Sequence, residues 1–467
     1  MEQYVVLLSK YFIAIFMAMY TYECFAVFRF KDEVSRRGIY TRQLILMFFV
    51  HVSSFLTICV KTGDMTYLIL YAFQQLAVFV TIVLFELLYP TLNRLIVNNM
   101  CMLLTIGLIM LTRLDQKKAI KQLMIAVISL IIALIIPYFI RKIRALKNLS
   151  WLYALIGIFA LGAVLAVGTI TNGSKLSYSI AGITFQPSEF IKILFVFFIA
   201  AAMHEKNEFK QVVYVTIVAA VHVLLLVAAR DLGGALIFFV TYMMMVFLAT
   251  GKFRYLLLDI LGGVAASMIA FKLFRHIQVR VQAYLDPWSY IDGEGYQITQ
   301  SLFALGRGGL FGLGLYQGAP DDIPYVEQDF IFSAIVEEMG LIFGMCLILI
   351  CLSCFIMFMN ISIRLKDKFY QMVAFGLGIL YIFQVFLTIG GDTKFIPLTG
   401  VTLPLVSYGG SSVLTTLIMF SVIEGLYIIR QNEGIKSEQR KQKLRKPTEY
   451  RESVREQSSQ IPEEKEY

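Results

Sequence analysis

Charge is scarce in this 467-residue chain: Asp, Glu, Lys and Arg make up 16% of it, against 58% hydrophobic residues. That balance lies outside the range of ordinary soluble domains and makes a lipid-embedded chain the starting point. Sustained alternation of apolar and polar residues is also missing, which excludes a transmembrane barrel of strands. No short apolar segment with a small-residue cleavage site opens the chain, so the stretch from about Val5 is expected to stay as a span. A P-loop, a dinucleotide fingerprint and an HExxH motif are absent, and His51, His204, His222 and His276 are scattered without ligand spacing. These absences argue against an ATP-driven pump and a zinc protease. Cysteine is sparse: Cys24, Cys59, Cys101, Cys346, Cys351 and Cys354 all fall in apolar stretches, where the residue acts as a small hydrophobe. Cys351 and Cys354 form a CxxC without a second ligand pair, so metal and redox roles lack support.

Long apolar runs are what the chain has in abundance. A helix needs roughly 20 mostly apolar residues to cross the hydrocarbon layer, and runs of that kind recur, as from Leu123 to Ile140 and from Ala235 to Thr250. Thirteen spans are predicted, near 5–28, 43–61, 66–89, 98–113, 119–140, 150–170, 189–204, 211–229, 231–250, 254–274, 329–357, 369–390 and 406–429. With strict alternation, the basic clusters Arg29 to Arg42, Arg141 to Lys147 and Arg364 to Lys368 share one side with the tail from Arg430. That side is expected to be cytoplasmic, with the N-terminus outside. Arg113, Lys117, Lys118 and Lys121 are the exception, since they fall on the outer side. The net charge of +9 needs no nucleic acid partner, because it collects in short loops. The tail, 431–467, is polar and is expected to be disordered, either solvated or with its basic first half on anionic headgroups.

One outer loop, 275–328, is far longer than the rest and mixes charged, Gly-rich and aromatic residues, the mark of a functional loop. The outer segments Thr171 to Phe185 and Gly390 to Val406 are shorter. Glu189 and Lys192 follow Gln186-Pro187-Ser188 at i, i+3 and share a helical face, which fits both an ordinary helix start and a site. Asp231 reads equally as an N-terminal acidic cap. Arg280, Asp286, Asp292, Glu294, Arg307, Asp321, Asp322, Glu327 and Asp329 all face outward, and chemistry alone does not choose among them. Asp329 abuts the apolar run Phe330-Ile331-Phe332, where partial desolvation would raise its pKa toward that of a general base; a plain helix cap is the other reading.

Four motifs then occur in order: Gln186-Pro187-Ser188-Glu189 with Lys192; Gly295-Tyr296-Gln297 through Gly306-Arg307-Gly308-Gly309; Asp329-Phe330-Ile331-Phe332 with Glu337-Glu338; and Pro404-Leu405-Val406-Ser407-Tyr408-Gly409-Gly410-Ser411. Together they resemble the SEDS (shape, elongation, division, sporulation) family of FtsW/RodA-like proteins. The resemblance implies an all-α polytopic membrane protein with a ten-helix core over 98–430, preceded by an extension of about three helices over 1–97. It also implies peptidoglycan glycosyltransfer from lipid II at the extracytoplasmic face of the bacterial plasma membrane, with a class B penicillin-binding transpeptidase as partner. The family's essential acidic residue matches Asp329, and the substrate-binding candidates are Arg280, Lys192, Glu189, Arg307, Gln297 and Ser407. The departing pyrophosphate needs positive charge from Arg280, Lys192 or Arg307, or from a divalent cation (Mg or Mn) held by acidic loop residues.

The chain departs from the family pattern at several points. A usual Trp is replaced within Gly173-Ser174-Lys175-Leu176-Ser177, the usual Pro before Asp231 is Arg230, Glu327 and Gln328 precede Asp329 where His and Thr are typical, and Thr388 and Asp392 replace an Asn and an apolar residue. A lipid II flippase or a non-catalytic scaffold for a transpeptidase is the rival reading, because many helices around buried polar groups serve transport equally well.

Overall fold

Three helices, α1 (Glu2–Arg29), α2 (Glu33–Thr62) and α3 (Thr66–Leu88), precede a larger bundle. The computed structural model describes residues 2–30, 32–171, 174–180, 183–205 and 208–459. Gly173, in the segment of the replaced Trp, and residues 460–467 of the tail lie outside them.

The bundle consists of α4 (Arg94–Leu114), α5 (Gln116–Lys142), α6 (Ser150–Val167), α7 (Pro187–Met203), α8 (Phe209–Ala228), α9 (Leu232–Thr250), α10 (Phe253–Leu273), α14 (Leu341–Arg364), α15 (Lys368–Asp392) and α16 (Gly410–Ser459). Between α10 and α14 lie α11 (Arg275–Leu285), α12 (Tyr296–Gly308) and α13 (Ile331–Met339). Strands β1 (Thr169–Thr171), β2 (Ser174–Ile180) and β3 (Ile183–Phe185) form an antiparallel sheet ahead of α7. Among the described residues, 12 helices are long and apolar enough to cross a membrane, and the shorter α7, of 17 residues, runs among them.

Local chemistry sets the turns. Asp115 closes α4 and caps α5, its side chain accepting from the Lys117 and Lys118 amides, so one residue reverses the chain. Asn93 caps α4 through the Leu95 and Ile96 amides. α4 is the axis: every residue from Leu95 to Arg113 is buried. α10 is its opposite, with only Tyr255 buried.

The first three helices are bound to the bundle by polar contacts as well as by apolar packing. Tyr20 and Cys24 of α1 both donate to Asn99 Oδ1 of α4, at 3.0 and 3.1 Å. Asn98 donates to Gln43 of α2 at 3.0 Å, and the Asn99 amide reaches Ser353 of α14 at 3.4 Å.

Two expectations need revision. The span expected from 329 is divided: α13 is a separate nine-residue helix that stops at Gly340. Gly340 takes a φ of 92°, and a side chain there would run into the backbone of Leu310, Phe311 and Gly312, so only glycine lets the loop cross at the break. The tail, expected to be irregular, continues α16 as backbone helix to Ser459. Its Glu, Gln, Lys and Arg are good helix formers, extending a helix already nucleated inside the bundle.

Candidate active site

At the end of the bundle that carries the long loop lies a cavity of about 290 Å³. Its walls come from α5, α7 and α9 together with Tyr325, Gln328 and the segments 400–402 and 408–412.

The α7 pair is tightly engaged. Lys192, 4% exposed, donates to Glu189 at 2.7 Å and to Gln384 of α15 at 2.8 Å, and Thr415 of α16 donates to the same Glu189 oxygen at 3.2 Å. The pair is therefore a self-neutralised wall of the cavity that ties three helices together. Asp231 meets both readings the sequence left open. It caps α9, accepting from the Gly234 amide at 2.7 Å, and it also lines the cavity, accepting from Ser188 at 3.4 Å. Burial pushes its pKa up and the nearby Glu189 adds to this, while the Gly234 amide, Ser188 and Arg280 oppose it. Just before it, Arg230 takes a φ of 65°, a conformation closed to proline, so this departure reshapes the backbone and not merely the side chain.

Asp329 lies immediately ahead of α13, and its position is set from behind by the Pro404–Ser411 motif. Ser407 Oγ donates to the Gln328 carbonyl at 2.5 Å, and the Tyr408 amide donates to the Glu327 carbonyl at 2.7 Å. The Asp329 amide donates to the Tyr325 carbonyl at 3.2 Å, closing a turn in which Tyr325 takes a φ of 58°. Neither Asp329 nor Arg280 is itself among the residues lining the cavity, but Gly400, which is, sits in front of the carboxylate: a side chain there would start 3.8 Å from Asp329 Oδ2. Among the described residues no donor hydrogen-bonds to the Asp329 carboxylate. Burial pushes its pKa up to about 6, against the pull of the Arg280 guanidinium and with help from Glu327. Arg280 of α11 is held by the Leu398 and Thr399 carbonyls at 3.4 and 3.3 Å, and its charge acts on both Asp329 and Asp231. The two acids thus share one half-buried cation near the cavity.

The remaining candidates lie elsewhere. Arg307 pairs with Glu337 at 3.2 Å, away from the cavity lining. Gln297, second residue of α12, does not line the cavity, and Ser407 acts as the clamp behind Asp329. Two of the four basic residues that broke the charge rule are matched by loop-end acids: Arg113 bonds Glu338 and Asp321 at 2.9 Å each, and Lys118 bonds Glu327 at 2.6 Å. Sequence reasoning passed over Asp392 as a site residue. It is fully buried, its carboxylate oxygens have no closer polar neighbours than the Phe332 and Ser333 amides, and it feels the charge of Asp329. Its replacement of an apolar residue was the available signal.

Among the described residues no three of His, Cys, Asp and Glu converge as a metal-binding group.

The family model described as "Cell cycle protein", for FtsW, RodA and SpoVE, matches residues 91–432. A curated relative named peptidoglycan glycosyltransferase RodA from Mycobacterium bovis is 31% identical over 363 residues, covering 72% of this chain and 77% of its own. A probable peptidoglycan glycosyltransferase FtsW from Aliivibrio salmonicida is 33% identical over 305 residues, 62% of this chain and 76% of its own. Among solved structures, one from a peptidoglycan synthase complex gives a TM-score of 0.62 at 23% identity, covering 73% of this chain and 98% of that one. The rod shape determining protein RodA of Thermus thermophilus gives 0.56 at 22% identity, covering 73% of this chain and 97% of that one. These two show the fold alone. With four motifs in order, a ten-helix bundle after three additional helices, and a matched model spanning most of its length, the chain belongs to the FtsW/RodA/SpoVE family of SEDS proteins.

Proposed function

We propose that this chain is a peptidoglycan glycan-strand polymerase of the bacterial plasma membrane, transferring a growing lipid-linked chain onto the GlcNAc 4-hydroxyl of lipid II at the extracytoplasmic face. The observation that carries this reading is Asp329: a desolvated carboxylate, without a hydrogen-bond donor among the described residues, its pKa near 6, beside a polar cavity and one half-buried arginine. A base must be ionised and unengaged to take a proton, and this group meets both conditions near neutral pH.

The reaction balances in one displacement. The lipid II 4-hydroxyl oxygen forms a bond to the anomeric carbon of the growing chain, its proton passes to Asp329, and the bond from that carbon to the pyrophosphate oxygen breaks. The electron pair leaves with undecaprenyl pyrophosphate, so the anomeric centre inverts and no second carboxylate is needed to protonate the leaving group. Arg280 is the residue best placed to stabilise the charge that develops there, since its guanidinium already answers two acids near the cavity. Lys192 and Glu189 shape the wall, their charges balanced by one another. No step is routed through a divalent cation. A class B penicillin-binding transpeptidase, which crosslinks the product, is the partner this reading requires.

The test uses purified protein with fluorescent lipid II. Wild type should form glycan polymer, and Asp329→Asn should bind lipid II yet form none. Polymer formation at the wild-type rate by Asp329→Asn overturns the assignment of the base. Movement of lipid II across liposomes by wild type, without polymer, would make the chain a flippase.

A further inference from the structure

α5 divides two spaces of opposite character. On one side Lys121 and Ile125 line the polar cavity. On the other, Gln116, Ile120, Met124 and Ile128 face a groove of about 680 Å³ whose far wall is Ile69 and Phe73 of α3. Its walls are almost wholly apolar, and Phe73 and Ile128 each stay 61% exposed. α3 lies outside the residues matched by the family model, so this groove exists only because the extension is present.

Position links the two spaces. Thr66, the first residue of α3, and Gln116, the first of α5, both line the groove, so its mouth opens at the same end of the bundle as the cavity. Only the first turns of α5 stand between them, a width of about 10 Å. Those turns carry Lys117, which is exposed, and Lys118, bonded at 2.6 Å to Glu327, whose carbonyl lies two residues before Asp329. An apolar slot, then a basic helix start, then a polar cavity matches in order the parts of an isoprenoid pyrophosphate saccharide: tail, dianionic linker, sugar. Burial of methylenes from water is favourable, but a tail already dissolved in the bilayer gains little from that. What favours the groove over bulk lipid is that its occupant's headgroup meets lysines at the mouth.

We propose that the groove between α3 and α5 seats the isoprenoid tail of a lipid-linked saccharide substrate, whose pyrophosphate crosses the first turns of α5 between Lys117 and Lys121 into the polar cavity. The identity of that substrate rests on the polymerase reading; the seat itself does not depend on turnover.

Two measurements on the full chain test the seat. In the first, a benzophenone amino acid replaces Met124 in the groove or, as a control, Leu258 on the outer face of α10. Each protein is irradiated with radiolabelled lipid II in phosphatidylglycerol vesicles. Labelling at Met124 should exceed that at Leu258 on the order of tenfold, as a modest affinity difference gives, and unlabelled undecaprenyl pyrophosphate should compete it away while extra phosphatidylglycerol does not. Equal labelling at both positions, or equal competition by phosphatidylglycerol, assigns the groove to bulk lipid and overturns the proposal. In the second, Ile69→Trp with Ile128→Trp fills the groove. KM should rise several-fold for lipid II with its full undecaprenyl tail and stay unchanged for a farnesyl analogue. A change for both substrates alike, or for neither, overturns the proposal. Crosslinking is also read in Asp329→Asn, where no polymer is expected. A retained crosslink with no wild-type polymer sinks the polymerase reading alone; a lost crosslink in a polymerising protein sinks the groove alone.

Discussion

Two acidic groups stand at the loop end of this molecule, one fully buried and one half-buried, and they differ in a further respect that matters. Glu338 and Asp329 are both pushed up by burial, to about 7 and about 6, and each has an arginine nearby. Glu338 is fully engaged: Arg113 Nε reaches its two oxygens at 2.9 and 3.1 Å, and the Tyr316 amide donates at 3.2 Å. Asp329 has the charge of Arg280 nearby but, among the described residues, no donor on its oxygens, and it lies behind the cavity-lining Gly400. A perturbed carboxyl therefore does not by itself mark a catalytic group. The distinguishing feature is unspent hydrogen-bonding capacity next to open space.

The sharpest way to break this contrast is to measure turnover. Asp329→Asn should lower polymerisation by about 10² to 10⁴, the usual contribution of a general base, whereas Glu338→Gln should leave turnover of the folded protein close to wild type. Comparable losses in both would erase the distinction. Stability should move the other way. Glu338→Gln weakens a charge-assisted bond to a buried arginine and should cost about 2 to 3 kcal/mol, read as a lower Tm in detergent. Asp329→Asn replaces a charge that the fold disfavours. Because its folded pKa is raised, ionisation above about 6 works against the folded state, so the Asn variant should be at least as stable as wild type at pH 7.5.

The pH profile sharpens the comparison further. Polymerisation should rise with pH through about 6 as Asp329 ionises, and Arg280→Ala, which removes an opposing charge, should move that limb upward. An unmoved limb would show that Arg280 does not act on Asp329. The smallest effect belongs to Arg307→Ala. Its pairing at 3.2 Å joins a guanidinium 38% exposed to the buried Glu337 carboxylate, so its removal should lower Tm while costing little turnover. A rate loss equal to that of Arg280→Ala would place Arg307 in the site after all.

How far the sequence could be read followed physical lines. Spans were legible because crossing the hydrocarbon layer demands long apolar runs, and the thirteen expected runs fall on α1 to α10 and α14 to α16, the run from 329 also taking in α13. Hydropathy could not tell α4 from α10, since lipid and protein interior are equally apolar to a side chain: one is entirely buried and the other almost entirely lipid-facing. The break at Gly340 was hidden inside an apolar run, because it depends on the approach of Leu310 to Gly312 from the loop. Pairing was the least legible property. Nothing local to Arg113 or Lys118 says that each waits for a loop acid more than 200 residues away. The same holds for Arg307, whose motif placed it among substrate contacts while its nearest partner is Glu337.

The amides of Asn98 and Asn99 carry a consequence for the history of the chain. In a bundle without α1 and α2 these groups would lack their partners Gln43, Tyr20 and Cys24 within the hydrocarbon layer, where unmet polar groups are costly. Once such residues had settled on α4, discarding the leading helices ceased to be a neutral step. The leading helices are thus held to the core by polar groups that neither side can give up alone, a mutual dependence written into α4.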